Sequence, residues 1–461
     1  MLIRTRSTSF YFLCVYLILL VQIGAGAAGA DELPAKDRIV VMITVDGFPA
    51  WIWNDPYLAV PNLRKLAANG ATANAMKVSN PSVTWPNHTT LVTGVPPAKH
   101  GVLYNGLLTH PGTDTPPVIA QWRDKKELVR VPTVYDLAFQ AGLTTAHVDW
   151  IPTTNATTFN WDFPERPNPQ GVIEQEMVKA GIVSAPDVVD FNKRNPQWRD
   201  MVWTDAAAYI VKAHKPNFIL FHLLNTDATN HKYGPGTWAS YTAYAYADSC
   251  IRVVMDAVEA AGLKDRATFF IVTDHGFKTA KRSIQANVVL RKAGLLKTVG
   301  PMKVICDAYT VAEGGSAMVY ITDPAKRIEL APKVKSVLAG VEGIAQVVEP
   351  ADYHAFGYPT PKENNQSPDF LLFAKPDYSF SASANGDLDV VDLAADAYKG
   401  NHGYINTDPQ LDGIFIASGY GISPGARLDH ITNLDVAPTV AKVLGLQMPN
   451  VDGRVLTEIL K

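Results

Sequence analysis

The feature that most constrains this chain is a set of fully apolar runs, each ending abruptly in an acid or a histidine at a loop. V-M-I-T-V stops at Asp46-Gly47, F-I-L-F-H-L-L-N-T at Asp227, and F-F-I-V-T at Asp274-His275-Gly276. Runs apolar at every position, not at alternate ones, read as strands buried on both faces, which means a parallel sheet covered by helices on each side. Strands are expected over 38–45, 144–149, 217–224 and 267–273. Helices are expected over 61–69, 133–141, 200–213 and 240–261. The fold class is therefore α/β, a mostly parallel central sheet with helices on both faces. In such sheets ligand groups gather beyond the carboxyl ends of the strands, where Asp46, Asp227 and Asp274-His275 stand.

Two stretches interrupt the alternation. Residues 105–200 are rich in Pro, Asn and Trp and are expected to include a lid. Residues 278–400 hold extended runs at 317–322 and 370–373 and a helix near 332–338, an α+β insertion after which His402 returns to the core. The C-terminal part reads as a core strand, D-G-I-F-I-A-S-G, then a helix capped by Asp435 or Asn433.

Residues 1–30 have the layout of a secretory signal peptide: Arg4 and Arg6, an apolar run over 10–23, and small residues ending Ala28-Gly29-Ala30. The run is shorter than the roughly 20 residues that span a bilayer, so cleavage is expected, with export to periplasm or extracellular space. Residues 31–461 then form a single catalytic domain with no membrane span. Loss of two arginines takes the net charge from −3 to −5, too mild to suggest a nucleic-acid polymer as partner. Cys250 and Cys306 remain, and either one bridge or two buried thiols is compatible with an exported chain of this size. Composition leaves the oligomeric state open.

Three Asp and three His on separated loops suit a pair of divalent cations. Asp227 and His231 are four apart, so one helical turn puts both on one face. Asp274 and His275 are neighbours whose side chains are expected to splay, each toward a different metal. Thr84, in P-S-V-T-W-P-N-H, precedes a helical pattern with proline in its first turn, where free amides and the helix dipole favour an alkoxide or a phosphate. As a candidate nucleophile it needs a metal to lose its proton near neutral pH. Each residue alone has a plainer role as helix cap or loop hydrogen-bonder; jointly they make a site. The mixed Asp/His set favours two Zn2+ ahead of Mn2+ or Fe.

The motifs, in order V-D-G-F, T-W-P-N-H-T-T-L-V-T-G, D-x-x-x-H-x-Y-G-P, T-D-H-G, G-N-H-G-Y and D-V-A-P-T, resemble those of the alkaline phosphatase superfamily, within it the nucleotide pyrophosphatase/phosphodiesterase branch. The resemblance implies one zinc on Asp227, His231 and His402, and another on Asp46, Asp274 and His275 beside Thr84. It also implies that Asn105 donates to the phosphoryl oxygens and that hydrolysis of a phosphodiester or phosphoanhydride passes through a phosphothreonine. The implied partner is a small phosphate ester or anhydride. Trp85 and His222 are expected to touch substrate: Trp85 as a stacking platform, His222 because it stands where nucleotide-cleaving relatives carry a tyrosine. Monoester hydrolysis is the alternative, needing a cation such as Arg123, Lys125, Lys126 or Arg166 on the extra phosphate charge; a phosphonoacetate-type hydrolase shares the metal frame. A secreted binding protein that keeps the fold without turnover would show a lost ligand or nucleophile, and none is lost.

Overall fold

In the first strand, Ile39–Val45, odd and even residues serve different cores. Ile39, Val41, Ile43 and Val45 pack into one apolar cluster, while Val40 and Met42 join another on the opposite face. Successive strand side chains point to opposite sides, so a run apolar throughout demands cover on both.

A computed structural model describes residues 1, 32–299, 303–394, 397 and 399–461; apart from Met1, the expected leader lies outside the described residues. Within Pro34–Lys461 the central sheet has eight strands: β1 (Ile39–Val45), β2 (Gly70–Lys77), β3 (Thr145–Val148), β4 (Trp161–Phe163), β5 (Phe218–Leu223), β6 (Ala267–Val272), β7 (Phe415–Gly419) and β8 (Arg427–Thr432). Their spatial order is β8-β2-β7-β6-β1-β5-β3-β4. Only β7 runs antiparallel to its neighbours, so the sheet is mostly parallel. The helices include α1 (Pro61–Ala68), α2 (Thr84–Thr93), α3 (Val134–Gln140), α4 (Pro196–Ala213), α5 (Asn225–Tyr233), α6 (Trp238–Ala260) and α7 (Val436–Val443). Helices α1, α4 and α6 cover the face of Val41 and Ile43; α2, α3 and α7 cover the face of Met42.

Residues 278–400 contain a second, antiparallel sheet of Ala308–Glu313, Ser316–Ile321, Phe370–Ala374 and Ile344–Val348, covered on one side by the helix Arg327–Ala339. Its other side carries Met318, Tyr320, Leu371 and Phe373, which pack on Leu103, Tyr104 and Leu108. The short strand Gly400–Asn401 pairs with Lys278–Ile284, which brings the chain back to the main sheet at His402.

Asp435 is the N-cap residue of α7, as expected, but its side chain bonds the preceding turn and not the helix. Thr432 opens the turn before α7 in a capping box with Asp435, whose Oδ2 accepts from the Thr432 N–H at 2.9 Å. Asn433 turns inward to donate to Asn87 Oδ1 at 2.8 Å. Cys250 and Cys306 are both free and buried, in different apolar clusters. No helix among the described residues is long and apolar enough to cross a membrane.

Candidate active site

Three neighbouring strands, β6, β1 and β5, deliver much of the site. Asp46 directly follows β1, Asp274-His275 follows β6, and His222 lies near the end of β5. The parallel register carries Thr44 opposite both His222 and Val272, so these ends are level. Gly47 makes the exit possible: its φ is +64°, and a Cβ there would lie 2.6 Å from the Phe277 ring. Its N–H donates to Asp274 Oδ1 at 3.1 Å, which fixes one acid against the next.

Helix α5 carries Asp227 and His231 one turn apart. Its start is held from outside by Asp200 of α4, whose two carboxylate oxygens accept from the N–H groups of Leu224 and Asn225 at 3.0 and 3.1 Å. Those amides have no partner within the helix, and a buried acid satisfies them. Asn230 Nδ2 donates to the Gly47 carbonyl at 2.9 Å, tying α5 to the Asp46 loop. His402 is seated by Gly403, whose φ is +78° and whose missing Cβ would collide with the Glu313 carbonyl.

Two groups result. Ligand-type atoms of Asp46, Asp274 and His275 all lie within 4.8 Å of one another, as do those of Asp227, His231 and His402. Asp274 and His275 converge on the same group; the loop turns after Asp274 and cancels the strand alternation that predicted they would splay. His275 Nε2 is 3.3 Å from Asp274 Oδ2, 3.4 Å from Asp46 Oδ1 and 3.4 Å from Thr84 Oγ1. In the other group Asp227 Oδ1 stands 3.4 Å from His231 Nε2 and 3.7 Å from His402 Nε2. Ligands about 2.1 Å from one tetrahedral ion are about 3.4 Å apart, so both groups have the spacing of a metal shell.

Two further observations test that fit. Asp46 Oδ1, Asp227 Oδ1 and Asp274 Oδ2 are buried without a hydrogen-bond partner among the described residues, a costly arrangement unless a cation completes it. The three imidazoles each spend Nδ1 on a backbone carbonyl: His231 on Gly400 at 3.1 Å, His275 on Gly276 at 3.2 Å and His402 on Ser82 at 2.9 Å. That leaves every Nε2 lone pair facing its group, the arrangement a ligating histidine requires. Burial, then the charges of Asp274 and Asp227, push the Asp46 carboxyl well above the usual range. Burial pushes His275 down to about 3 and His402 down as well, so both rings are neutral. The residues present fit a pair of divalent cations.

Thr84 is the first residue of α2, with Val83 as its cap. Next to it, Asn105 Oδ1 accepts from the Trp85 N–H at 2.9 Å, which fixes the amide beside Thr84. A cleft of about 170 Å3 opens there, lined by Thr84, Trp85, Asn105, Trp122, Glu165 and Asp227 among others, with no Lys or Arg. Trp122 stands edge-on to Trp85 with centroids 5.8 Å apart, and the Arg166 guanidinium covers the Trp122 ring at 4.0 Å. Arg123 is bound to Glu127, Lys125 to Asp136, and Lys126 is nearest Asp124, so these cations are engaged away from Thr84.

His222 lines the same cleft. It is buried, with Nε2 2.9 Å from Asp46 Oδ2 and Nδ1 3.1 Å from Asp149 Oδ2. Burial opposes its charge, but Asp149 and then Asp46 outweigh it and hold the ring protonated well above its ordinary range. Its two nitrogens are both engaged, so the ring lines the cleft without a free donor for substrate. Residues the sequence did not single out include His88, which bonds Thr44 Oγ1 at 2.9 Å and the Thr84 carbonyl at 3.0 Å, and Asp149, Asp200 and Glu165. Asp149 directly follows an apolar strand, the same signal that marked Asp46.

Residues 40–405 match a family profile described as type I phosphodiesterase / nucleotide pyrophosphatase. The chain is 23% identical over 461 residues to a mouse protein, ectonucleotide pyrophosphatase/phosphodiesterase family member 7, covering 96% of this chain and 91% of that protein. It is 24% identical over 258 residues to venom phosphodiesterase 2 of Crotalus adamanteus, covering 55% of this chain and 28% of the relative. The chain thus spans about a quarter to a half of the length of the venom phosphodiesterases it matches. In fold it is similar to human ectonucleotide pyrophosphatase / phosphodiesterase 5, with a TM-score of 0.70, 17% identity, and coverage of 92% of this chain and 100% of that one. With the profile spanning most of its length, the chain belongs to the type I phosphodiesterase / nucleotide pyrophosphatase family.

Proposed function

We propose that this protein is an exported two-zinc hydrolase that cleaves phosphodiester or phosphoanhydride bonds through a covalent intermediate on Thr84. The observation that carries the reading is the set of three buried, unpartnered carboxylate oxygens facing three imidazoles whose Nδ1 atoms are already spent, with Thr84 Oγ1 at the same spacing. Asp46, Asp274 and His275 would hold one zinc and Asp227, His231 and His402 the other. The two ions would supply charge neutralisation on the phosphoryl group and lower the pKa of the attacking oxygen.

The chain's own groups do the rest. Thr84 Oγ gives up its proton and bonds phosphorus in line as the ester oxygen opposite departs with the bonding pair. Water then attacks phosphorus, its proton is lost, and Thr84 leaves as the alkoxide and is reprotonated. Asn105, held through its Oδ1 by the Trp85 amide, presents its NH2 to the phosphoryl oxygens, a fixed donor where charge builds up. Trp85 and Trp122 wall the cleft for the ester substituent.

A diester is favoured over a monoester because no Lys or Arg lines the cleft. Export follows from the leader-like residues 1–30, in keeping with relatives named as ectoenzymes and venom proteins. The test compares kcat/KM for bis-p-nitrophenyl phosphate and p-nitrophenyl phosphate on zinc-loaded protein with a chelator control. At least about tenfold preference for the diester, about 1.4 kcal/mol in the barrier, is expected. Preference for the monoester would replace this reading with a phosphatase, and a protein that binds no zinc would replace it with a binding module.

A further inference from the structure

Asp46 uses its two oxygens differently. Oδ1 faces the metal-type group without a hydrogen bond, and Oδ2 is 2.9 Å from His222 Nε2. Behind His222 stands Asp149, its Oδ2 at 3.1 Å and its carbonyl at 3.2 Å from Nδ1. The three residues form a row across the ends of β1, β5 and β3, which are adjacent parallel strands. Register sets the row: Thr44 is opposite His222, and Phe221 opposite Val148.

Asp149 reaches back only because its backbone takes φ +54°, a region an ordinary residue avoids. Its N–H donates to the Phe163 carbonyl at 2.9 Å, which holds the turn. All three side chains are buried; the His222 ring meets the His88 ring edge-on at 4.5 Å, and His88 in turn bonds Thr44 and the Thr84 carbonyl. An acid–imidazole–acid row in this setting is expensive, and apolar side chains of equal volume would stabilise the fold at least as well. Strained backbone retained beside a reactive group points to function before stability.

We infer that Asp149 and His222 are a positioning pair that locks Asp46 to offer the single oxygen Oδ1 to the cation beside Thr84. Without the His222 donor, the Asp46 carboxylate can rotate and present either or both oxygens, and the ion beside the nucleophile shifts with it. The hydrogen bond from His222 goes to Asp46, a member of one metal-type group. The inference rests on the zinc reading above.

The test uses His222→Phe, which keeps a ring of similar volume and removes both donors, and Asp149→Asn, which leaves His222 in place without its partner charge. Zinc affinity is measured by chelator competition, and kcat and KM with bis-p-nitrophenyl phosphate. In His222→Phe, one zinc equivalent is expected to weaken by about 10–100-fold while the other keeps its affinity. kcat falls with the weakened zinc equivalent. Asp149→Asn shifts the same quantities in the same direction by less, and His222→Gln, which restores one amide donor, recovers part of the loss. A folded His222→Phe protein with both equivalents at wild-type affinity and unchanged kcat overturns the inference. Where His222→Phe does not fold, wild-type zinc binding and kcat in Asp149→Asn overturn it. Wild-type protein that takes up no zinc removes the parent reading instead, a distinguishable result.

Discussion

The imidazoles of His275 and His402 lie face to face, ring centroids 3.7 Å apart and planes 12° from parallel. Each ring belongs to a different metal-type group, so the stack is the partition between the two. Phe277 closes the same partition, edge-on to His402 at 5.3 Å and to His231 at 4.9 Å. Two stacked imidazolium rings would repel, and burial already drives both rings to the neutral form that ligation needs.

Removing one group at a time should therefore cost one metal at a time. His231→Ala and His275→Ala are each expected to retain close to one zinc per chain where wild-type holds two, read by metal analysis after dialysis. Loss of both ions in either variant would show the partition to be cooperative.

Thr84 stands at the edge of its group and not inside the ligand triad. Thr84→Ala is expected to keep both zinc ions and to lose turnover of bis-p-nitrophenyl phosphate by at least about 10³-fold, since a nucleophile without a substitute leaves only binding and electrostatics. Retained turnover removes Thr84 from the mechanism.

Asp200 makes a stability prediction at a residue that never meets substrate. Asp200→Ala leaves the part-buried amides of Leu224 and Asn225 without their acceptor, and each unsatisfied donor costs at most about 1–3 kcal/mol, the figure for full burial. The unfolding midpoint in denaturant should fall. Because α5 carries Asp227 and His231, the affinity of that zinc should fall in parallel. An unchanged midpoint would mean that water replaces the cap.

Metal-free protein should be most stable between pH ~4.3 and ~6.5. Burial raises Glu174 to about 7 and Glu313 to about 8, so the folded state holds these protons longer than the unfolded chain. Their effect is stability fully present below the unfolded carboxyl pKa of ~4.3 and lost progressively as pH rises from there through 7 and 8. Burial lowers His100 and His147 to about 3, so their neutral folded forms favour the native state above the unfolded histidine pKa. That stability is lost as pH falls below ~6.5. Melting temperature in chelator should peak between these limits; a steady rise toward pH 9 would contradict the assignment.

Zinc itself should stabilise the fold. Free zinc at about 100 times its dissociation constant adds about 2.7 kcal/mol per independent site. A melting midpoint that does not move with zinc would show that the groups hold no ion in the native state.

The strands that precede Asp46, Asp227 and Asp274 were legible because an all-apolar run followed by a polar stop has few other readings. The helices over 61–69 and 240–261 were legible from periodicity, and they appear as Pro61–Ala68 and Trp238–Ala260. β2 was not: G-A-T-A-N-A-M-K carries little apolar bulk, and its place between β7 and β8 comes from pairing alone. His222 was read for substrate because its place in the motif says nothing about burial.

By itself the sequence determined the covered parallel sheet and the inventory of acids, imidazoles and threonine at its edge, because periodicity and residue chemistry are local properties. Which oxygen of Asp46 faces the metal-type group, which acid caps α5, and that His222 bonds Asp46 and Asp149 were decided only by tertiary structure. Strand order puts β1, β5 and β3 side by side, and hydrogen bonds across that order, between residues far apart in the chain, set the final orientation of each side chain.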